Sequence, residues 1–248
     1  TDASTTSAGS SYLWNFGDPA SGASNTATTQ NASHNFTAAG TYSVKLVVTN
    51  NTGCKDSTTK LVTVWPKPVA AFKADTACEG TITTFTNQST IASGSMSFMW
   101  YFGDAANSTS TSINPTFLYT PGVYTVRLIV TSGFGCIDST TRQVLVKANP
   151  KPKFVVANAC LRDAITLDTA GSNGTAAAQL VIDYGDGTPS TNVLTHTYAM
   201  SGTYTISLTM IDNGCSSTIS DVVTIYDLPL PNFSVSRYSI CMNELDTF

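Results

Sequence analysis

Trp100-Tyr101-Phe102-Gly103-Asp104 is the stretch that decides the fold, because the chain contains three copies of it. The other copies are Trp14-Asn15-Phe16-Gly17-Asp18 and, more loosely, Ile182-Asp183-Tyr184-Gly185-Asp186. A Gly-x-Tyr run follows each copy, with the tyrosine at Tyr42, Tyr124 and Tyr204. These tyrosines are 82 (124 − 42) and 80 (204 − 124) residues apart. A period of about 80 residues exceeds a solenoid unit, so each repeat is expected to be a small domain with its own core.

Composition excludes several function classes. Only 11% of the residues are charged, and the net charge is −4. A nucleic-acid surface needs a basic stripe, and the sequence has no cluster of lysine and arginine. No apolar run reaches the length of a membrane span. We therefore expect neither nucleic-acid binding nor membrane insertion in this segment.

Hydrophobic periodicity indicates an all-β protein. Apolar residues alternate with polar ones after each repeated tyrosine, as in Tyr42, Val44, Leu46 and Val48. This is the period of a strand with one buried face. Turns rich in glycine and asparagine follow, and a second alternating strand then returns in each repeat. Several short strands per repeat predict a two-sheet sandwich.

Paired prolines suggest the domain boundaries. Pro66 and Pro68, Pro150 and Pro152, and Pro229 and Pro231 each follow a closing strand. A new first strand is predicted after each pair, at Ala70-Ala71-Phe72, Lys153-Phe154-Val155 and Asn232-Phe233-Ser234. Two prolines separated by one residue favour extended, semi-rigid backbone. The predicted domains are 1–67, which lacks its first strands, 68–149 and 150–228, which are complete, and 229–248, the first strand of a fourth repeat. We expect an excerpt from a longer array; the alternative is that another chain supplies the missing strands or that they are disordered.

The ordered motifs resemble the polycystic kidney disease (PKD) domain. They are Trp-x-Phe-Gly-Asp, His-x-aromatic at His34-Asn35-Phe36 and His196-Thr197-Tyr198, and the Gly-x-Tyr strand. Phe117-Leu118-Tyr119 departs from this pattern because it lacks the histidine. The resemblance implies tandem immunoglobulin-like β-sandwiches in a linear head-to-tail array. It also implies an extracellular setting, since the family is common in stalks, adhesins and accessory modules of secreted enzymes.

The cysteine-bearing motifs are similar to repeats of large Bacteroidetes surface adhesins, including gliding-motility proteins and type IX secretion substrates. Cys78-Glu79-Gly80 and Gly135-Cys136-Ile137-Asp138-Ser139 carry this likeness. Four tripeptides also resemble the Asp-Ser/Thr-apolar signal for O-glycosylation in that phylum. Their candidate acceptors are Ser57, Thr76, Ser139 and Thr169.

Six cysteines at regular spacing favour an oxidising, extracellular compartment. Two series occur, one in the hairpins (Cys54, Cys136, Cys215) and one after the first strand (Cys78, Cys160, Cys241). In the sandwich that the resemblance implies, the two series lie at opposite ends of a domain, whereas disulfide formation needs Cα atoms within about 7 Å. The leading hypothesis is a staple between neighbouring repeats, Cys78 with Cys215. Pairs within a domain, Cys78–Cys136 and Cys160–Cys215, and free thiols remain open.

Candidate chemical residues are weighed against structural roles. Trp14, Phe16, Trp100, Phe102 and the repeated tyrosines are interpreted as core residues rather than sugar-stacking ones. Asp18, Asp104 and Asp186 are expected to accept N–H groups of a turn. Calcium is the alternative, disfavoured because it needs six to eight oxygens and the sequence has no acidic cluster of suitable spacing.

No catalytic residue is predicted. His34 and His196 are candidate bases, but the sequence gives neither a recurring serine, cysteine or acid partner. No cofactor or metal is expected, and the protein is predicted not to be an enzyme. The predicted function is a non-catalytic extracellular stalk or adhesin segment that supplies length and stiffness. Its expected partners are neighbouring repeats, surface glycans and other cell-surface or secretion-machinery proteins.

The alternative function is an accessory module of a secreted hydrolase that binds substrate or carbohydrate. Such a module is expected to carry a stripe of outward aromatic side chains. Tyr101 is one outward candidate, but Asn15 and Asp183 stand at the equivalent positions.

Overall fold

The chain is almost entirely β-structure in a computed structural model that describes residues 1–5, 9–235, 239 and 241–243. It divides into two compact units, Thr1–Val146 and Lys147–Phe248. The helix in the described residues is a seven-residue 3-10 segment, Pro19–Asn25, and no described helix is long and apolar enough to cross a membrane.

The first repeat contributes one four-stranded sheet to the first unit. Its strands are β1 (Ser11–Asn15), β2 (Thr26–Ala27), β3 (Gly40–Thr49) and β4 (Lys55–Val64), in the order β2-β1-β3-β4. All neighbours are antiparallel, and Trp14 pairs with Leu46. Phe16 and Leu46 are buried on one face of this sheet.

The second repeat is a two-sheet sandwich. Its strands are β5 (Phe72–Ala74), β6 (Ala77–Cys78), β7 (Ile82–Asn87), β8 (Met96–Tyr101), β9 (Thr109–Ser110), β10 (Thr116–Leu118), β11 (Gly122–Ser132) and β12 (Ile137–Lys147). The sheets run β10-β7-β5 and β6-β12-β11-β8-β9. Phe72 and Phe85 of the first sheet pack with Trp100 and Leu128 of the second in one core.

The second unit repeats this plan. Its strands are β13 (Ala159–Cys160), β14 (Ala164–Thr166), β15 (Gln179–Asp183), β16 (Pro189–Thr191), β17 (Thr195–Thr197), β18 (Gly202–Asp212) and β19 (Cys215–Tyr226). The five-stranded sheet runs β13-β19-β18-β15-β16, and β14 pairs with β17. Ile165, Tyr184, Leu208 and Val223 belong to the core between them.

The predicted hairpins are confirmed. β3–β4, β11–β12 and β18–β19 are antiparallel pairs whose turns contain Gly53, Gly135 and Gly214 at positive φ. The alternating strands bury the expected side chains, including Val126, Leu128 and Val130. Period-2 hydrophobicity therefore predicts the long strands well, because each has one core face.

Two predicted opening strands are absent from the described residues. Lys151 and Val155 form only isolated bridges, with Asn173 and Asp168, around Lys153-Phe154-Val155. Asn232-Phe233-Ser234 forms no strand, and residues 236–238, 240 and 244–248 of the predicted fourth repeat lie outside the described part. In the first case the N–H of Lys153 donates to the Ser172 hydroxyl instead of a strand carbonyl.

Candidate functional site

The Gly-Asp turn is the most constrained backbone in each repeat. Gly17, Gly103 and Gly185 all have positive φ, between 70° and 77°. A Cβ at Gly103 would lie 2.4 Å from the carbonyl oxygen of Thr125, and the other two glycines meet equivalent backbone oxygens at 2.6 and 2.5 Å. Glycine is required here both for its φ and for the close approach of the neighbouring strand.

The aspartate after this glycine holds the turn. Oδ1 of Asp104 accepts the N–H of Ser108 at 2.8 Å, and Oδ2 accepts the Ser108 hydroxyl at 2.8 Å. Asp186 likewise accepts the N–H of Thr188 at 3.1 Å. Burial acts to raise the pKa of both carboxyls, but hydrogen bonds prevail and lower it. The Ser108 hydroxyl and N–H lower the pKa of Asp104, and the Thr188 hydroxyl, His196 and the Thr188 N–H lower that of Asp186. The carboxylates of Asp18 and Asp186 each also contact a histidine side chain.

The expectation that the histidines lack an acid partner is wrong. Nε2 of His34 lies 2.9 Å from Oδ2 of Asp18, and Nε2 of His196 lies 2.7 Å from Oδ2 of Asp186. The partner is the aspartate of the Gly-Asp turn in the same repeat, 16 and 10 residues earlier. Both histidines also stack on aromatic rings, His34 on Phe16 and His196 on Tyr184. These contacts give each histidine a structural role in joining the turn to the core.

A ladder of rings continues from that stack in every repeat. In the second repeat it consists of Phe102, Phe117, Tyr119 and Tyr124, with neighbouring centroids 4.2 to 4.6 Å apart. Phe117 occupies the position that histidine has in the other repeats, so the ring stacking is kept although the contact with the aspartate is lost. Tyr124 donates its hydroxyl to the carbonyl of Thr120, four residues upstream, and Tyr42 and Tyr204 do the same. This is the tyrosine-corner arrangement of immunoglobulin-like sandwiches.

Of the predicted core residues, Phe16, Trp100 and Phe102 are buried, whereas Trp14 and the repeated tyrosines Tyr42, Tyr124 and Tyr204 are half-buried. Trp100 is fully buried, and its indole N–H donates to the carbonyl of Ser112 at 2.9 Å. Trp14 makes the same kind of bond, to Thr29 at 3.1 Å, but is only half-buried. The three-stranded sheet that covers Trp100 has no counterpart in the described residues of the first repeat, which explains the greater exposure of Trp14.

The segment that enters the second repeat is fastened to that repeat's long hairpin. Trp65 directly follows β4, and its indole stacks on Phe134 in the β11–β12 turn, with 3.8 Å between centroids and 5° between planes. The Cys136 thiol lies 3.9 Å from the carbonyl of Trp65. Pro66 and Pro68 are both buried. The linker is therefore packed against the domain rather than solvated.

A charged contact secures the same linker two residues later. Nζ of Lys67 lies 3.0 Å from Oδ1 of Asp138, and Oδ2 of Asp138 accepts the N–H of Ala70 at 2.9 Å. The Ala70 hydrogen bond, followed by the Lys67 contact, lowers the pKa of the Asp138 carboxyl. Sequence reasoning missed this pair because Lys67 and Asp138 are 71 residues apart and no local pattern joins them.

The entry segment of the third repeat uses other chemistry at equivalent positions. Lys147 donates from Nζ to the carbonyl of Asn213 in the β18–β19 turn at 2.6 Å. The bridges Val69–Thr90 and Lys151–Asn173 equate the two entry segments with an offset of 82 residues. Trp65 therefore corresponds to Lys147, and Ala70 to Pro152. The proline pairs themselves are out of register by two residues, so they mark the linkers without aligning them.

Two of the six candidate cysteines are disulfide-bonded, Cys78 and Cys215. Cys54, Cys136 and Cys160 are free thiols. Cys241 lies exposed in the C-terminal segment. The disulfide supports an oxidising setting.

Pairing within the third repeat is ruled out by geometry. Cys160 pairs in register with Tyr226 at the end of β19, whereas Cys215 begins that strand. Eleven residues of strand separate the two positions by about 36 Å, and a disulfide needs about 7 Å or less. The alternative pair Cys160–Cys215 therefore does not form in this fold.

The candidate acceptors of O-glycans are accessible to different degrees. Ser57, Thr76 and Ser139 are exposed, and Thr169 is half-buried. Ser57 and Ser139 occupy equivalent places on β4 and β12, paired with Val47 and Ile129. Tyr101 is 41% exposed, and Asn15 and Asp183 face solvent at the equivalent positions. Among the described residues no three acidic, histidine or cysteine side chains converge in a way that could hold a metal ion.

Comparison with known proteins matches this architecture to one family. A family model described as the PKD domain matches residues 1–64, 65–146 and 147–225. The PKD1 domain of Vibrio anguillarum Epp is 34% identical over 33% of this chain and 95% of its own, with a TM-score of 0.30.

The PKD1 domain of the Vibrio cholerae metalloprotease PrtV is 35% identical over 33% of this chain and 98% of its own, with a TM-score of 0.30. Three N-terminal domains of the bacteriophage RB49 outer capsid protein Hoc are 14% identical over 92% of this chain and 91% of theirs, with a TM-score of 0.44. No curated protein matches the chain. The three matched segments together span most of the chain, which therefore belongs to the PKD domain family and carries three PKD domains in tandem.

Proposed function

We propose that this chain is a non-catalytic stalk segment of a large secreted or surface-anchored adhesin. PKD domains are non-catalytic modules typical of the extracellular parts of secreted and surface proteins, and here three stand in tandem. The observation that carries the proposal is the fastening of the linker at Trp65, Lys67 and Ala70 onto the second repeat. A linker held in this way limits bending between successive domains.

The contacts at this linker act together. An offset aromatic stack contributes about 0.5–1.5 kcal/mol beyond its buried area. Hydrogen bonds to a charged acceptor such as Asp138 contribute about 1.5–3 kcal/mol when shielded from water, and less at this partly exposed site. Pro66 and Pro68 reduce the freedom that the linker would have to lose on packing. Because β4 ends at Val64, one residue before the stack, little flexible chain remains.

The proposed setting is the bacterial cell surface, in a protein of the kind that Bacteroidetes secrete by the type IX pathway for gliding or adhesion. Support comes from the cysteine-bearing motifs, the disulfide-bonded Cys78 and Cys215, and the low charge. The proposed partners are neighbouring repeats, surface glycans and cell-surface or secretion-machinery proteins. Ser57, Thr76 and Ser139, being exposed, are the better proposed O-glycan acceptors.

Residual dipolar couplings measured by NMR test the stiffness that the proposal requires. We expect the amides of the first and second repeats to fit one alignment tensor in the natural chain. In the variant Trp65→Ala they should require two tensors of different magnitude. Val123→Ala, which removes an exposed apolar side chain near the far end of β11, serves as the matched control. Two tensors already in the natural chain would contradict the stalk.

The alternative function is an accessory module of a secreted hydrolase. It is retained because one of the similar structures is the PKD1 domain of a metalloprotease. It requires binding to insoluble substrate. Cosedimentation with chitin, cellulose and fibrillar collagen distinguishes the two functions: the stalk predicts that the chain stays in the supernatant, whereas the accessory role predicts saturable binding.

A further inference from the structure

The peptide bond after Asp18 differs chemically from the bonds after the other two Gly-Asp turns. Pro19 follows Asp18, whereas Ala105 and Gly187 follow the equivalent aspartates. The bond between Asp18 and Pro19 is therefore a tertiary amide. When such a bond breaks, its nitrogen leaves as a secondary amine that takes up a proton readily. Pro19 is exposed, so water can supply that proton.

The carboxylate beside this bond is buried and held in place. Asp18 is 4% exposed, and the side chain of His34 is 4% exposed. Nε2 of His34 lies 2.9 Å from Oδ2 of Asp18, and the N–H of Asp18 donates to Oδ1 of Asn25 at 2.7 Å. Burial removes water from a carboxylate and these contacts fix its orientation, which are two conditions for its use as a nucleophile.

Two donors converge on the carbonyl oxygen of Asp18. The Ser21 hydroxyl donates to it at 2.7 Å, and the Ser21 N–H donates to it at 3.0 Å. In the second repeat the equivalent carbonyl of Asp104 accepts the N–H of Asn107 at 3.0 Å. Donors at these distances stabilise the negative charge that develops on a carbonyl oxygen when its carbon is attacked. The first repeat therefore brings a nucleophile, oxyanion donors and a good leaving group to one peptide bond.

The carboxylates of the other two turns are engaged in holding the turn. Both oxygens of Asp104 accept hydrogen bonds from Ser108. Oδ1 of Asp186 accepts the N–H of Thr188, and Oδ2 contacts His196. Because neither aspartate precedes a proline, these two turns are comparisons within the same chain.

We propose that the first repeat cleaves its own chain between Asp18 and Pro19. Oδ1 of Asp18 attacks the carbonyl carbon of the same residue and forms a five-membered cyclic anhydride, while the C–N bond to Pro19 breaks. The nitrogen of Pro19 takes a proton from the solvent. A water molecule then opens the anhydride and releases a proton, which leaves a C-terminal Asp18 with two carboxyl groups and an N-terminal Pro19. The sum is hydrolysis of one peptide bond, once per chain.

The cleaved bond lies between β1 and the rest of the first repeat. Five residue pairs join β1 to β3, so we expect the two pieces to stay associated in the folded protein. The cut would convert a continuous chain into a joint that tension can separate. This reaction is independent of the stalk role, because it needs only the first repeat.

Mass spectrometry of the whole chain tests the reaction. The folded chain is incubated at about pH 5 beside the same chain unfolded in concentrated guanidinium chloride. We expect fragments 1–18 and 19–248 to accumulate at least about tenfold faster from the folded chain. Bonds between aspartate and proline also break slowly in unfolded chains, so an equal or faster rate in guanidinium would overturn the proposal. Comparable cleavage after Asp104 or Asp186 would overturn it as well.

Substitutions of the oxyanion donor and the leaving group test the mechanism. Ser21→Ala removes the hydroxyl donor and should slow cleavage by at least about tenfold. Ser24→Ala, at an exposed serine of the same segment, is the matched control and should leave the rate unchanged. Pro19→Ala copies the second repeat and should abolish cleavage at this bond. An unchanged rate in Ser21→Ala would overturn the proposal, and the comparison of folded with unfolded natural chain remains valid if a variant does not fold.

His34 is a positioning residue, because it acts through the carboxylate of Asp18. His34→Phe copies Phe117 of the second repeat, keeps a ring for stacking and should slow cleavage by at least about tenfold. His34→Gln keeps an N–H for Oδ2 and should restore most of the rate. Cleavage in His34→Phe as fast as in the natural chain would overturn the proposal.

Discussion

The indole of Trp65 lies flat on the ring of Phe134, with 3.8 Å between their centroids. Trp65 directly follows the last strand of the first repeat, and Phe134 lies in the β11–β12 turn of the second repeat. Because both side chains are at least 44% exposed, the stack buries little apolar area. Its main effect is to fix the position of the linker on the second repeat.

Replacing the indole should cost modest stability. We expect Trp65→Ala to lower the free energy of unfolding of the second repeat by about 1 kcal/mol, through loss of the stack. Trp65→Phe keeps a ring on Phe134 and should lose less than half of that. Urea denaturation followed by near-ultraviolet circular dichroism measures both. Equal losses for the two variants would show that the stack contributes nothing.

The Gly-Asp turn should be far less tolerant than an ordinary turn glycine. Gly103→Ala is expected to destabilise the second repeat by about 3 kcal/mol or more, because its Cβ would overlap the Thr125 carbonyl at 2.4 Å. Gly135→Ala has a comparable positive φ but nothing within 4 Å, so about 1–2 kcal/mol of backbone strain is expected. Thermal unfolding of the two variants compares them; a similar loss for both would contradict the close-approach argument.

The hydroxyl of Tyr119 should matter more than that of an exposed tyrosine. It donates to the buried carbonyl of Phe102 at 2.9 Å, and burial raises its pKa. Tyr119→Phe leaves that carbonyl without its donor and should cost about 1–2 kcal/mol. Tyr101→Phe changes an exposed hydroxyl and should be within about 0.5 kcal/mol of the natural chain. Chemical denaturation gives both values.

Fastening of the linker should depend on acid pH. The pKa of Asp138 is below its ordinary value of 3.8 in the folded chain, chiefly through the Ala70 N–H and Lys67. A lowered folded pKa means that the stabilisation is complete above pH 3.8 and is lost as pH falls through the folded value. The stability difference between the natural chain and Asp138→Asn should therefore be constant above about pH 5 and shrink below about pH 4. A difference that does not vary with pH between 2 and 7 would contradict this.

Much of the fold follows from the sequence. The alternation through Tyr124, Val126 and Leu128 predicts β11, and the glycine before Cys136 predicts its turn, because both signals are local. The tyrosine corner and the Asp104 turn likewise arise within a few residues. The pairing of the entry segments could not be predicted in this way, because the bridges at Val69 and Lys151 have partners 21 and 22 residues away. The proline pairs suggested a common register for these segments, but they are offset from it by two residues.

The candidate site is less predictable because its contacts are distant along the chain. From the sequence alone, Asp138 is interpreted only as part of a surface motif. Its contacts with Ala70 and Lys67 are formed only when the chain folds. The sequence does not suggest that His34 pairs with Asp18, because the position of Asp18 in the Gly-Asp turn already accounts for that aspartate. One signal was available in the sequence. The second repeat has Asp138 and Ala70, and the third has Ser217 and Pro152 at the equivalent positions.

Disulfide connectivity remains a prediction. The sequence predicts a bond between Cys78 and Cys215, the two cysteines in disulfide form. Proteolysis without reductant, followed by mass spectrometry, should yield one linked peptide that contains both residues and disappears on reduction. A linked peptide containing Cys78 and Cys136 would refute the staple between repeats.

Single-molecule pulling of the reduced chain from its two ends tests most directly the central claim that these repeats are separate folded modules that carry load in series. Each complete repeat of about 80 residues should unfold in its own step and add about 290 Å of contour length, less the folded span. We predict at least two such equal steps, for the second and third repeats. A single step that releases the whole chain at once would contradict the account.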